Sequence, residues 1–139
     1  MKIKDVPGSP GKRFKTHEVR EDAADKHPPI FSFHFLRKSF CLTKCEKGEK
    51  ADLAKTLHKL SQFTWADLRN AHPHGLGFEP IKRTDIKDAI PSHITEDVTI
   101  IAFRFSGKKA MVGYRDAVER KLFHIVWLDR SFKLYDHGA

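Results

Sequence analysis

The sequence predicts a single α+β domain. An N-terminal strand or hairpin, two helices and a three- to four-stranded antiparallel meander would follow one another, with the helices packed on one face of the sheet. Residues 30–36 alternate apolar and polar side chains, as a half-buried strand does. Residues 46–62 repeat leucine at helical spacing, and residues 98–138 return to strand-like segments between charged turns. At 139 residues and 40% hydrophobic composition, the chain can bury one core.

The N-terminal region divides into a polar arm and a first strand. Residues 1–29 are polar and interrupted by Gly and Pro, so we expect a flexible arm ahead of a domain that spans the rest of the chain. In the strand that follows, Phe31, Phe33 and Phe35 would share one face. A second short strand at 39–42 would turn this element into a hairpin.

The helical region has an amphipathic pattern and a clear internal start signal. Residues 46–62 predict the first helix, with lysines mostly on its outer side. Thr64 has the side chain of an N-cap, and Asp67 stands three residues later as in a capping box. A second helix is therefore expected at 65–71, and a further short helix could occupy 81–90.

The meander is expected to start with a central strand at 98–105, because this segment is almost continuously apolar. A hairpin loop then leads to a return strand at 110–114. The third strand is predicted at 122–128, and 132–135 could add a fourth.

The charge balance favours an anionic partner. The chain has 26 Lys and Arg against 18 Asp and Glu, which gives a net charge of +8. Half of this surplus lies in residues 104–139, which contain 8 basic and 4 acidic residues. Such a surplus attracts polyanions by electrostatic steering and counterion release, so nucleic acid is the first partner to consider. The sequence has no long apolar run and no secretion signal, so we expect a cytoplasmic protein that does not contact a membrane.

The two cysteines carry little metal-binding signal. Cys41 and Cys45 stand four apart, and the histidines that could complete a site, His34 and His58, lack an established spacing. We interpret the cysteines as small packing residues and expect neither a metal, a cofactor nor a disulfide.

The chain contains the segment IIAFRFSGKKAMVGYR followed by FHIVWLD. In this segment, in the order of its elements and in its basicity, the chain resembles the RelE/ParE-like superfamily of toxins from toxin–antitoxin systems. The resemblance covers residues 30–139. It includes Arg104, near the end of the first meander strand, and Arg115, at the end of the second. It implies a toxin that cleaves messenger RNA, free or on the ribosome, without a metal. It also implies an antitoxin partner that covers the basic face.

Cleavage of RNA through its 2′-hydroxyl requires a base, an acid and cations that hold the charge developing on phosphorus. Histidine titrates near neutrality, and a guanidinium can hold phosphate through two parallel N–H donors. The candidate catalytic residues are His124, Tyr135, His137 and Arg104. The candidate RNA- or phosphate-binding residues are five further cations of the C-terminal part of the chain, Arg115, Arg130, Lys133, Lys108 and Lys109.

Each candidate has a structural alternative. His124 shares its predicted face with apolar side chains and could be a buried, hydrogen-bonded histidine. Arg104 interrupts an apolar strand and could form an ion pair with Asp129 or Glu96. The residues near the C-terminus could belong to a tail, and the His72–His74 segment is more typical of a surface loop than of a substrate or metal site.

Two functions from different classes follow from these residues. The first is a metal-independent endoribonuclease of the toxin kind. The second is a non-catalytic module that binds nucleic acid or protein, as in gyrase-inhibiting relatives of the same fold. The nuclease requires the C-terminal guanidinium and imidazole groups to meet in one pocket that solvent can reach.

Overall fold

The computed structural model describes residues 22–73 and 75–136, and these residues form an α+β fold with one five-stranded mixed sheet and two α-helices. The sheet order is β1-β5-β4-β3-β2. In chain order the elements are β1 (Ile30–Ser32), α1 (Lys47–Leu60), α2 (Trp65–Asn70), β2 (Phe78–Ile81), β3 (Ile100–Ser106), β4 (Lys109–Arg115) and β5 (Leu122–Asp129).

Strands β3, β4 and β5 form the predicted antiparallel meander at the centre of the sheet. Strand β2 pairs with β3 in the antiparallel sense. Strand β1 pairs with β5 in parallel, with Ile30 opposite Leu122 and Ser32 opposite His124. This parallel pair makes the sheet mixed, and the chain between its two strands contains both helices and strands β2, β3 and β4.

The N-terminal strand is shorter than its alternation predicts, and the hairpin is absent from the described chain. Strand β1 ends at Ser32, and the chain turns at once, with the Leu36 N–H donating to the Phe33 carbonyl. As a result Phe31 packs on the helix side of the sheet and Phe35 on the other, so the prediction that the phenylalanines share a face was wrong. The segment expected as a second strand at 39–42 instead belongs to two 3-10 turns.

Three other segments differ from expectation. No strand was predicted at Phe78–Ile81, whose last residue was assigned to the helix at 81–90, yet this segment is the edge strand β2; Pro80 is tolerated there because an edge strand pairs on one side only. The predicted helix at 81–90 is a 3-10 turn over Arg83–Asp85. The predicted strand at 132–135 is not a strand, because the N–H groups of this segment bond to the Asp129 carboxylate instead of a neighbouring strand.

Both helices begin within one residue of their predicted starts. In α1, the Glu46 N–H donates to Glu49 Oε1 at 2.7 Å. In α2, the Asp67 N–H donates to Thr64 Oγ1 and the Thr64 N–H donates to Asp67 Oδ2, each at 3.1 Å. The predicted N-cap and capping box of the second helix are confirmed.

The sheet is buried on both faces. One face packs against α1 and α2, as predicted, through a cluster that includes Leu53, Trp65 and Phe103. The opposite face is covered by loop segments, whose apolar side chains pack around Val112 and Trp127. Within the described residues, no helix is both long and apolar enough to cross a bilayer.

A bulge in β5 shapes the second face. Val112 pairs with Trp127 but Gly113 pairs with Ile125, so Val126 is an extra residue on β5 and both it and Trp127 pack on the loop side. The strands approach so closely here that a Cβ on Gly113 would lie 1.8 Å from the His124 carbonyl oxygen.

The predicted arm over 1–29 is partly packed against this fold. Residues 1–21 lie outside the described residues. Ala23–Lys26 is a 3-10 turn that buries Asp25, and the His27 carbonyl accepts from the Trp65 N–H at 3.0 Å.

Candidate nucleic-acid interface

The predicted site residues separate into two groups at opposite ends of the sheet. Arg104 pairs with Ala110 near the β3–β4 turn, which we call the hairpin end, whereas His124 pairs with Tyr114 at the opposite, far end. Ala110 and Tyr114 are four residues apart on β4, a distance of about 13 Å along the strand. Arg104 and His124 also stand two strands apart. The structure therefore does not bring them into one pocket.

Most of the predicted cations lie at the hairpin end. Lys108 is in the β3–β4 turn and is exposed. Lys133 follows β5, is exposed, and is held there because its N–H donates to Asp129 Oδ1 at 3.0 Å. Arg104 and Arg130 are half-buried. Together with Lys109 they place five basic side chains around one end of the sheet.

Not all of this charge is free to meet a ligand. Lys109 Nζ lies 2.7 Å from Glu49 Oε2, and this hydrogen bond raises the pKa of Lys109 and lowers the pKa of Glu49. Asp129 is fully buried nearby. Lys108 and Lys133 are the exposed basic side chains of the hairpin end.

Tyr135 joins Arg104 at the hairpin end, on the loop side of the sheet. It is buried, and its pKa is raised to about 12 by that burial and by the charges of Glu79 and Asp129, while the Arg104 guanidinium acts in the opposite direction. At neutral pH the Tyr135 hydroxyl keeps its proton, so it cannot act as a base.

His124 is buried at the far end, as the structural alternative foresaw. Its Nε2 lies 3.0 Å from Asp116 Oδ1, and this bond is the main cause of the lowered pKa of Asp116. The rings of Phe35 and Tyr114 each have their centres 5.0 Å from the imidazole. His124 Nδ1 is buried with no hydrogen-bond partner among residues 22–73 and 75–136.

Arg115 lies at the far end on the helix side, in a rigid setting. Its guanidinium carbon is 4.2 Å from the centre of the Trp65 ring, and its Nη2 donates to Asp25 Oδ1 at 2.6 Å. Arg69 donates to the other Asp25 oxygen. Burial alone would raise the pKa of Asp25, but the hydrogen bond and charge of Arg115, with the charge of Arg69, bring it below its ordinary value.

A cavity of about 580 Å³ opens beside this ion triad. Three guanidiniums line it, those of Arg69, Arg115 and Arg120, together with the carboxylates of Asp22, Asp25 and Asp97 and apolar side chains from β2, β3 and the segment before β3. Sequence reasoning singled out only Arg115. Arg69 could not be recognised from the sequence, because a solvated arginine in a helix is ordinary. Asp25 was not considered, because it lies in the predicted arm.

The remaining candidates do not add a site within the described chain. His137 and His74 lie outside the described residues. Cys45 is buried in the helix-side cluster, whereas Cys41 is half-buried between two 3-10 turns, and both thiols are free. Within residues 22–73 and 75–136, no group of three or more His, Cys, Asp or Glu is arranged to hold a metal ion.

Comparisons with protein-family models, with curated proteins and with solved structures found no match to this chain. A function must therefore be argued from the residues and their geometry.

Proposed function

We propose that this protein is an RNA-binding protein of the toxin kind, similar to the RelE/ParE-like superfamily, and that RNA binds at the hairpin end of the sheet. The observation that carries this proposal is that Arg104, Lys108, Arg130 and Lys133 lie around one end of the sheet, although they come from two separate segments of the chain, the β3–β4 hairpin and the residues after β5. A phosphate backbone that spans them would release counterions from several sites at once.

In its sharper form the proposal is a metal-independent endoribonuclease that acts on messenger RNA. Arg104 would hold the phosphate and Tyr135, which stays protonated, would donate to an oxygen of the phosphodiester. His137, two residues after Tyr135 in the sequence, is the candidate base. An acidic antitoxin would bind the same basic end and block it.

The second candidate is a non-catalytic module that binds nucleic acid or protein. The position of His124 favours it, because this imidazole is buried, bonded to Asp116 and about 13 Å or more from the hairpin end. A nuclease at the hairpin end would have to work without it.

Binding is tested by fluorescence anisotropy with a labelled single-stranded RNA over a range of salt concentrations. Lys133→Gln and Arg104→Gln are expected to weaken binding about tenfold, since a hydrogen bond to a charged group contributes roughly 1.5–3 kcal/mol. Lys55→Gln is the matched control, since Lys55 is an exposed cation on α1. Equal losses of RNA affinity in all three variants would show that binding depends only on the overall positive charge, and would overturn the proposal.

Cleavage is tested on the same RNA by gel electrophoresis with and without EDTA. Cleavage that survives EDTA and disappears in Arg104→Gln supports the nuclease. RNA that is bound but left intact by the wild-type protein supports the non-catalytic module.

A further inference from the structure

The cavity at the far end of the sheet is lined by three arginines, three aspartates (Asp22, Asp25 and Asp97) and several apolar side chains. We call it the arginine cavity and define it by the guanidiniums of Arg69, Arg115 and Arg120. Its volume, about 580 Å³, is in the range of sites that hold small molecules. It lies on the opposite end of the sheet from the hairpin end, so it is a separate site from the proposed RNA surface.

The Arg115 guanidinium is held in place before any ligand arrives. It stacks over Trp65, whose Nε1 donates to the Lys121 carbonyl at 3.0 Å. Arg115 Nε donates to the Arg120 carbonyl at 2.8 Å and Nη2 donates to Asp25. Among the described residues these two bonds use two of the five N–H donors that a guanidinium has. A rigid cation with further donors at the wall of a cavity is well suited to an anion.

Asp25 sets the spacing of the arginine pair. It is only 3% exposed, and its two oxygens accept from Arg69 and Arg115. Two guanidiniums that would otherwise repel each other are thereby held side by side, and the triad keeps a net charge of +1. Asp25 is therefore a positioning residue for the cations of the cavity.

Arg120 is the accessible cation of the cavity. Its Nε lies 3.4 Å from Asp22 Oδ2, and both side chains are well exposed, at 40% and 48%. A pair this long and this exposed is weak, so a bound anion can replace the Asp22 carboxylate without a large penalty.

The apolar side chains of the cavity define the rest of the ligand. Phe78 on β2, Val98 ahead of β3 and Ile101 on β3 line it together with the charged side chains. A free phosphate ion would leave this surface uncovered, whereas a nucleotide would place its base and ribose there.

We propose that the arginine cavity binds one nucleotide, with its phosphate held by Arg69, Arg115 and Arg120 and its base against Phe78, Val98 and Ile101. The shared chemistry is a phosphate ester attached to an aromatic base. The ligand is either a free nucleoside monophosphate or the 5′-terminal nucleotide of an RNA strand.

Isothermal titration calorimetry with the four nucleoside 5′-monophosphates, and with the matching nucleosides, tests this site in the full chain. We expect the best monophosphate to bind about tenfold or more tightly than its nucleoside, because the nucleoside lacks the charge-assisted hydrogen bonds. Arg120→Gln should weaken binding several-fold, whereas Asp22→Asn should strengthen it several-fold by removing a competing carboxylate. Lys55→Gln should change nothing.

A 5′-phosphorylated RNA and the same RNA with a 5′-hydroxyl separate the two sources. Tighter binding of the phosphorylated strand that is lost in Arg120→Gln assigns the site to an RNA end, and no difference between the strands assigns it to free nucleotides. If no monophosphate binds, or if Arg120→Gln and Asp22→Asn leave its affinity unchanged, the proposal is overturned. Arg104→Gln should not alter binding of the monophosphates, because Arg104 lies at the hairpin end. The nucleotide site can therefore be confirmed even if the proposed RNA surface at the hairpin end is wrong.

Discussion

Arg115 and Trp65 form a stacked pair in which the guanidinium carbon lies 4.2 Å from the centre of the indole ring. The pair ties the end of β4 to the first turn of α2. Since Arg115 also donates to Asp25, this contact joins the segment at 23–26, a helix and the sheet in one buried ion network.

Replacing Asp25 with Ala should destabilise the protein strongly. The change leaves the charges of Arg69 and Arg115 without their buried partner, which costs about 3–5 kcal/mol in comparable cases. The free energy of unfolding, measured by urea denaturation, is the readout. Asp22→Ala is the control, because it removes an exposed carboxylate and should cost less than about 1 kcal/mol. Similar losses in the two variants would show that the triad does not anchor this segment.

Two glycine substitutions should have opposite effects. In Gly113→Ala the new Cβ would meet the His124 carbonyl oxygen at 1.8 Å, so strands β4 and β5 must shift, and we expect a loss of about 3 kcal/mol. In Gly48→Ala the new Cβ meets nothing within 4 Å on helix α1, so we expect a gain of about 0.5 kcal/mol. Thermal and urea unfolding of both variants test this pair. A stable Gly113→Ala protein would contradict the bulged register of β4 against β5.

The protein should lose stability in acid through specific carboxylates. Burial alone would raise the pKa of Asp88, but hydrogen bonds from Trp127 and Arg37 bring it below its ordinary value, and the bond to His124 lowers the pKa of Asp116. With a lowered folded-state pKa, the unfolded chain binds protons first as the pH falls. The stabilisation is therefore complete above the unfolded pKa of about 3.9 and is lost as the pH drops through the folded value.

Urea denaturation between pH 7 and pH 2 measures this dependence. Asp88→Asn removes one of the groups that titrate, so its stability should fall less steeply below about pH 4 than that of the wild-type protein. Lys87→Gln, beside it in the sequence and on an exposed pair with Asp136, is the control and should keep the wild-type slope. If Asp88→Asn keeps that slope too, Asp88 does not contribute to acid unfolding.

His124→Asn should leave RNA binding unchanged while it lowers stability. The imidazole is buried, contacts Phe35 and Tyr114, and bonds to Asp116, so its loss affects packing at the far end of the sheet. Anisotropy with labelled RNA and urea unfolding together provide the test. A well-folded His124→Asn protein that no longer binds or cuts RNA would place the functional site at the far end and contradict the proposed surface.

The salt dependence of RNA binding should show which basic side chains of the hairpin end contact phosphate. Lys133→Gln should reduce the slope of log K against log salt by about 0.7, the value for one phosphate contact on a single strand. Lys109→Gln should reduce it less, because Lys109 is already bonded to Glu49. Equal changes in Lys133→Gln and Lys109→Gln would mean that the Glu49 pair opens when RNA binds.

Local chemistry made the helices and the meander predictable from the sequence. Leucine spacing and the Thr64–Asp67 capping box act within one or two turns, and the alternation of β3, β4 and β5 acts within single strands joined by short turns. These signals need no knowledge of distant residues. The surplus of cations in the last quarter of the chain could likewise be counted from the sequence alone.

Tertiary structure decided which residues meet. The parallel pairing of β1 with β5, the edge strand β2 and the Asp25–Arg69–Arg115 triad join segments that are tens of residues apart. No local pattern encodes such contacts, because they depend on how helices and loops return the chain across both faces of the sheet. For the same reason the sequence could nominate Arg104 and His124 together, while only the register of β3, β4 and β5 showed that they stand at opposite ends.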